Sequence, residues 1–138
     1  MSWHKGVILK TTQFTLNIGV NAGYGHENQA VDPMKLVAQI WQRHARNQYF
    51  NERGPLVAGI VSPAKTVYLE SHGCPPGGED TVLVTGLRNP AFNSDDKSWR
   101  EAVKAIALAV GKELNQTTAY LSFSEIDFLY LKPSAQEG

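Results

Sequence analysis

The stretch that decides the fold is "SWREAVKAIALAVGKELNQTTAYLSFSEIDFLYL", Ser98 to Leu131. Its first half carries a helical pattern. Trp99, Ala102, Val103, Ile106, Ala107, Val110 and Leu114 recur at the spacing that lines one side of an α-helix. Ser98 with Glu101 three residues on predicts a capping box, each side chain satisfying the other's backbone N–H. Asp95 and Asp96, just upstream, place negative charge at the positive end of the helix dipole. "NQTT" ends the helix, and "AYLSFSEIDFLYL" then reads as a long final strand. Leu121 and Phe123 fall on one face of it, while Ile126, Phe128 and Tyr130 fall on the other. A β-bulge near Ser124 would return all of them to one buried face. The alternative covers both faces, with helices on one and a partner subunit on the other.

Upstream, "TVLVTGL" (81–87) is a strand and "RNPAFNSDDK" a loop. "LVAGIV" (56–61) is apolar and β-branched, as in a buried strand; "SPAK" reads as a turn or a bend, and "TVYLE" (66–70) resumes the extended pattern. "FTLNIGV" alternates Phe14, Leu16, Ile18 and Val20 against Thr15, Asn17 and Gly19, the signature of a half-buried strand. "GVILK" before it either extends that strand or forms an extra edge strand. Between them, Asp32-Pro33 opens a helix: Asp accepts from orphan amides at the N-cap, and Pro suits the first helical position. Val37, Ile40, Trp41 and His44 share one face of that helix, which runs to about Tyr49 and stops at "NERGP".

The order β-α-β-β-α-β predicts an α+β ferredoxin-like two-layer sandwich, a four-stranded sheet with two helices on one face. A single domain is expected over residues 1–132, with 133–138 a frayed polar tail. Such a sheet leaves its other face open. Aromatic residues of the last strand would lie there, and large exposed apolar patches are uncommon on monomers. A homo-oligomer, dimer or trimer, is therefore expected.

Composition narrows the function classes. The chain of 138 residues has 13 basic and 13 acidic side chains, which argues against general nucleic-acid binding. Its one cysteine cannot form an intramolecular disulfide, which makes a reducing cytoplasm the default location. No apolar run approaches the ~20 residues of a membrane span, so no membrane partner is expected.

The richest local chemistry is "SHGCPPGGED", Ser71 to Asp80, with the lone cysteine beside a histidine and two carboxylates. Pro75-Pro76 followed by Gly77-Gly78 is turn chemistry between two strand-like runs, and a hairpin loop is the plain reading. A thiol nucleophile would need Cys74 activated by a neighbour, for which His72 is the candidate. A metal site lacks a second cysteine and a paired histidine, so no metal and no cofactor is expected. Glu125 and Asp127 share a face of the last strand and are candidates for acid or base work, or simply edge charges facing water. Tyr120, Phe123, Phe128 and Tyr130 are candidate walls of a small-molecule ligand pocket. "GVNAGYGHE" has glycines between strand and helix, but its spacing matches neither phosphate-loop pattern. Arg43, His44 and Arg46 near the end of the first helix read as cations placed at its C-terminus.

The segment from Val82 to Phe128 resembles one β-α-β unit of the tautomerase superfamily: strand, loop, capped amphipathic helix, strand. That family uses an N-terminal proline amine as its base. Here Met1 is followed by Ser2, so the resemblance implies architecture without the catalytic residue. With no complete catalytic set in view, the expectation is an oligomeric ligand- or protein-binding module without catalysis. The alternative is a small-molecule enzyme, tautomerase-like or thiol-dependent, with its pocket on the sheet face or between subunits.

Overall fold

A computed structural model of the chain describes residues 3–5, 8–20, 32–116 and 119–133, with the backbone alone at 3–5, 132 and 133. The elements in order are β1 (Trp3–Lys5), β2 (Leu9–Gly19), α1 (Pro33–Phe50), β3 (Ile60–Thr66), a short 3-10 turn (Glu70–His72), β4 (Glu79–Leu87), α2 (Asp96–Glu113), β5 (Ala119–Phe128) and β6 (Leu131–Pro133). β2 to β5 form one antiparallel sheet in the order β3-β4-β2-β5. With α1 and α2 packed on one side, this is the ferredoxin-like α+β sandwich. β1 and β6 form a separate antiparallel pair, Trp3 opposite Pro133. Of "GVILK", Leu9 and Lys10 open β2, and Gly6 and Val7 fall outside the described residues. Among the described residues no helix is long and apolar enough to cross a membrane.

The core follows the alternation of β2. Phe14, Leu16 and Ile18 are buried against the helices, and their ladder partners across β4 are Gly86, Val84 and Val82. Phe14 stacks on Trp41 of α1 (centroids 5.4 Å apart) and meets Trp99 of α2 at 5.8 Å. One strand residue thereby holds both helices. Gly86 opposite it admits the ring: a Cβ there would lie 2.5 Å from Phe14 Cε1 and 2.4 Å from the Ala58 carbonyl oxygen.

Three local expectations are corrected. Of the two alternatives for the last strand the β-bulge is excluded, because β2 and β5 pair without interruption from Leu9–Phe128 to Ile18–Ala119. The phase change at Ser124 is real and leaves apolar groups on both faces: Phe123 packs on the core, while Ile126 and Phe128 occupy the opposite face. The cap of α2 is Asp95 rather than Ser98. Its Oδ1 accepts from the Lys97 N–H at 3.1 Å, and the Ser98 hydroxyl donates to its Oδ2 at 2.6 Å. An ionised carboxylate is the stronger acceptor, so the helix starts earlier and serine supports the cap. Finally, "SPAK" is neither a turn nor a bend. Pro63 sits inside β3, which is an edge strand, where a missing N–H can be tolerated. The run 56–59 lies outside the ladder and contributes Val57 to the core.

Candidate functional site

Strand alternation sorts the sheet into two faces with different chemistry. The face away from the helices carries Gln13, Thr15 and Asn17 from β2, with Thr81, Leu83, Thr85 and Leu87 from β4 beside them. β5 adds Tyr120, Ser122, Ser124 and Phe128, and β3 adds Ile60, Ser62 and Thr66. No helix covers this face among the described residues.

The face has two ends. At one, Ile60, Thr85, Leu87, Phe128, Tyr130 and Gln13 border an open cavity of about 500 Å³. That volume lies in the usual range for small ligands, roughly 300–1,000 Å³, and the lining is mostly apolar with a few polar groups. At the other end lies a chain of side-chain hydrogen bonds. Asn17 Nδ2 donates to Thr66 Oγ1 at 3.1 Å, and Thr66 Oγ1 lies 3.0 Å from Thr81 Oγ1. Glu79, half-buried, pairs with Thr66 across the ladder. Tyr120 is the cross-strand neighbour of Asn17. From Gln13 to Asn17 the strand rises about 13 Å, the reach of one extended small molecule.

A second polar cluster lies at the start of α2, on the helix side. Asp96 accepts from the Thr12 hydroxyl at 2.6 Å and from Arg100 Nε at 2.8 Å, and Arg88 Nε lies 3.2 Å away. The Arg100 guanidinium also sits 5.1 Å from the centroid of the Phe123 ring. The Thr12 hydrogen bond, then the two arginines, hold the Asp96 carboxyl below its ordinary range, against the opposing effect of burial. Between the helices, Arg43 grips both oxygens of Glu113, and His44 Nε2 lies 3.0 Å from Glu113 Oε1. His44 and Arg43 thus tie α1 to α2; neither simply decorates a helix end.

The anticipated site residues are scattered by the fold. Cys74 is buried, its sulfur accepting from the Tyr68 N–H at 3.4 Å and lying 3.3 Å from the Pro75 carbonyl oxygen. His72 is exposed in the 3-10 turn, so the pair is separated into inside and outside of the β3–β4 hairpin loop. Glu125 and Asp127 share the helix-side face beyond the core, both exposed, and Asp127 pairs with Lys10 at 2.5 Å. Phe123 packs edge-on against Trp99 at 6.3 Å. Tyr120 and Phe128 lie on the open face, and Tyr130 joins Phe128 at the cavity. The glycine-rich loop 21–31 falls outside the described residues. The Asn17–Thr66–Thr81 chain was missed. Its signal was in "FTLNIGV", where Thr15 and Asn17 occupy outward positions of a strand that proves central.

Comparison with solved structures bears out the architecture. A phage SAM lyase in complex with S-methyl-5'-thioadenosine superposes with a TM-score of 0.55 at 11% identity, over 90% of both chains. A phage SAM lyase in its apo state gives 0.53 at 12% identity, over 91% of both. At that identity the likeness concerns the fold. No curated protein matches the sequence. The family model described as SAM lyase matches residues 9–132, from the first residue of β2 into β6. This overturns the expectation of a binding module without catalysis, since a lyase is an enzyme, and it favours the small-molecule alternative. On the strength of that match across both β-α-β halves, the chain belongs to the SAM lyase family.

Proposed function

We propose that this protein cleaves S-adenosylmethionine, releasing S-methyl-5'-thioadenosine, on the open face of its sheet. The observation that carries the reading is the family match over residues 9–132. The two molecules differ by the amino-acid fragment on the positively charged sulfur. Breaking the bond between sulfur and the γ-carbon returns that electron pair to sulfur, which becomes the neutral thioether. The substrate's own carboxylate can fill the vacated position on carbon, closing a lactone. Atoms and charge then balance with no water, no metal and no protein nucleophile. The chemistry asks the protein for positioning: it must fold the flexible amino-acid tail so that carboxylate and γ-carbon meet in line.

The open face suits such a ligand. Ile60, Leu87, Phe128 and Tyr130 offer an apolar berth for the purine, and the Asn17–Thr66–Thr81 chain offers polar partners about 13 Å away. A flat sheet excludes water poorly. We infer that a second or third copy of the chain covers the face in a homo-oligomer and closes the site. The buried free thiol of Cys74 accords with a reducing cytoplasm.

The test is direct. Purified protein is incubated with S-adenosylmethionine in ¹⁸O-water, and products are followed by mass spectrometry. S-methyl-5'-thioadenosine should accumulate together with a lactone free of ¹⁸O. Folded protein that leaves S-adenosylmethionine unchanged would overturn the proposal, and direct incorporation of ¹⁸O would replace lactone closure by hydrolysis.

A further inference from the structure

We infer that the Asn17 side chain receives the ammonium group of the substrate's amino-acid end and so sets specificity for a ligand that still carries it. This rests on the reading that the open face binds the S-adenosyl compound. Asn17 is half-buried on the central strand β2. One edge of its amide is committed to Thr66, which is itself fixed by Thr81. The other edge, Oδ1, is buried and has no hydrogen-bond partner among the described residues.

Buried polar atoms are nearly always paired, because an unpaired one forfeits its water without replacement. An orphan acceptor held in place by two threonines therefore calls for a donor from outside. Its surroundings favour a cation. Tyr120 and Leu83 are its cross-strand neighbours, and Glu79, the ladder partner of Thr66, brings a half-buried carboxylate to the same end of the face. An amide oxygen with a carboxylate at the same end of the face suits an ammonium, whose N–H groups need several acceptors. A purine would find the opposite, apolar end the better berth.

The amide could also sit turned over, offering its N–H₂ edge to a ligand carboxylate. The two cases differ in what an aspartate would do: Asn17→Asp keeps an acceptor and abolishes the donor.

The experiment measures binding by calorimetry with two probes. S-adenosylhomocysteine keeps the ammonium, and its neutral sulfur spares it from cleavage. S-methyl-5'-thioadenosine lacks the amino-acid end. Wild-type protein should bind both. Asn17→Ala should weaken S-adenosylhomocysteine by about 10- to 100-fold, as for a hydrogen bond to a charged group, and leave S-methyl-5'-thioadenosine within about twofold. Asn17→Asp should retain S-adenosylhomocysteine binding. If Asn17→Ala does not fold, Thr66→Val, which unhooks the amide, should show the same selective loss. Equal loss of both probes, loss of neither, or failure of Asn17→Asp to bind S-adenosylhomocysteine would each overturn the inference while the open-face site stands. Folded wild-type protein that binds neither probe would instead sink the proposed function, and this inference with it.

Discussion

The Thr12 hydroxyl donates a 2.6 Å hydrogen bond to Oδ1 of Asp96, linking β2 to the first turn of α2. Thr12 is buried and Arg88 nearly so, with its side chain 11% exposed. Thr12→Val preserves shape and removes the donor, while Asp96 keeps its arginines. The expected loss is about 1–2 kcal/mol of unfolding free energy by urea titration. No loss would mean that the arginines alone orient Asp96.

Acid should loosen the same contacts. Asp96 is held below its ordinary value first by Thr12, and Glu113 first by its hydrogen bond to Arg43. A carboxylate depressed in the folded state contributes stability above its unfolded pKa, about 4, and loses it as pH falls through the folded value. Stability should therefore be level near neutrality and decline below about pH 4. Thr12→Val should flatten part of that decline. An unaltered acid profile in this variant would refute the assigned cause.

Gly86 is a steric requirement. Any Cβ there meets both the Phe14 ring and the Ala58 carbonyl. Gly86→Ala should cost about 1–3 kcal/mol through forced displacement, although alanine ordinarily suits a strand no worse than glycine. The measurement is again urea unfolding, and a neutral result would show that segment 56–59 can move aside.

Cys74 is expected to be silent in catalysis. Its sulfur is enclosed by the backbone of Tyr68 and Pro75. A thiol reagent should label native protein far more slowly than denatured protein, and Cys74→Ala should keep lyase turnover within about twofold, with a stability cost of about 1 kcal/mol. Loss of turnover in a folded Cys74→Ala protein would restore a thiol role.

The open face can be probed at its apolar cavity and at its centre. Phe128→Ala should raise KM for S-adenosylmethionine about tenfold, roughly 1.4 kcal/mol, with kcat less affected. Thr15→Arg, at the middle of the face, should give folded monomers in sedimentation if a second copy covers this surface. Oligomers that survive Thr15→Arg would place the subunit contact elsewhere.

Period and order in the sequence determined the architecture. The three-and-four stripe from Trp99 to Leu114, the Asp32-Pro33 start and the alternation of Phe14, Leu16 and Ile18 are local signals, and the helices and central strand lie where they point. The tertiary structure decided what depended on partners far along the chain. Pro63 became a strand residue because β3 lies at an edge. The cap at Asp95 in place of Ser98 was instead a local matter, a carboxylate accepting more strongly than a hydroxyl two to three residues on. The apolar residues of β5 stayed on two faces because an uninterrupted ladder with β2 outweighed gathering them on one. The candidate site was the least legible part. Asn17, Thr66 and Thr81 are ordinary polar residues at outward positions, with no motif to join them. Only the strand order β3-β4-β2 brings them within hydrogen-bond reach, because pairing between distant segments has no local signature.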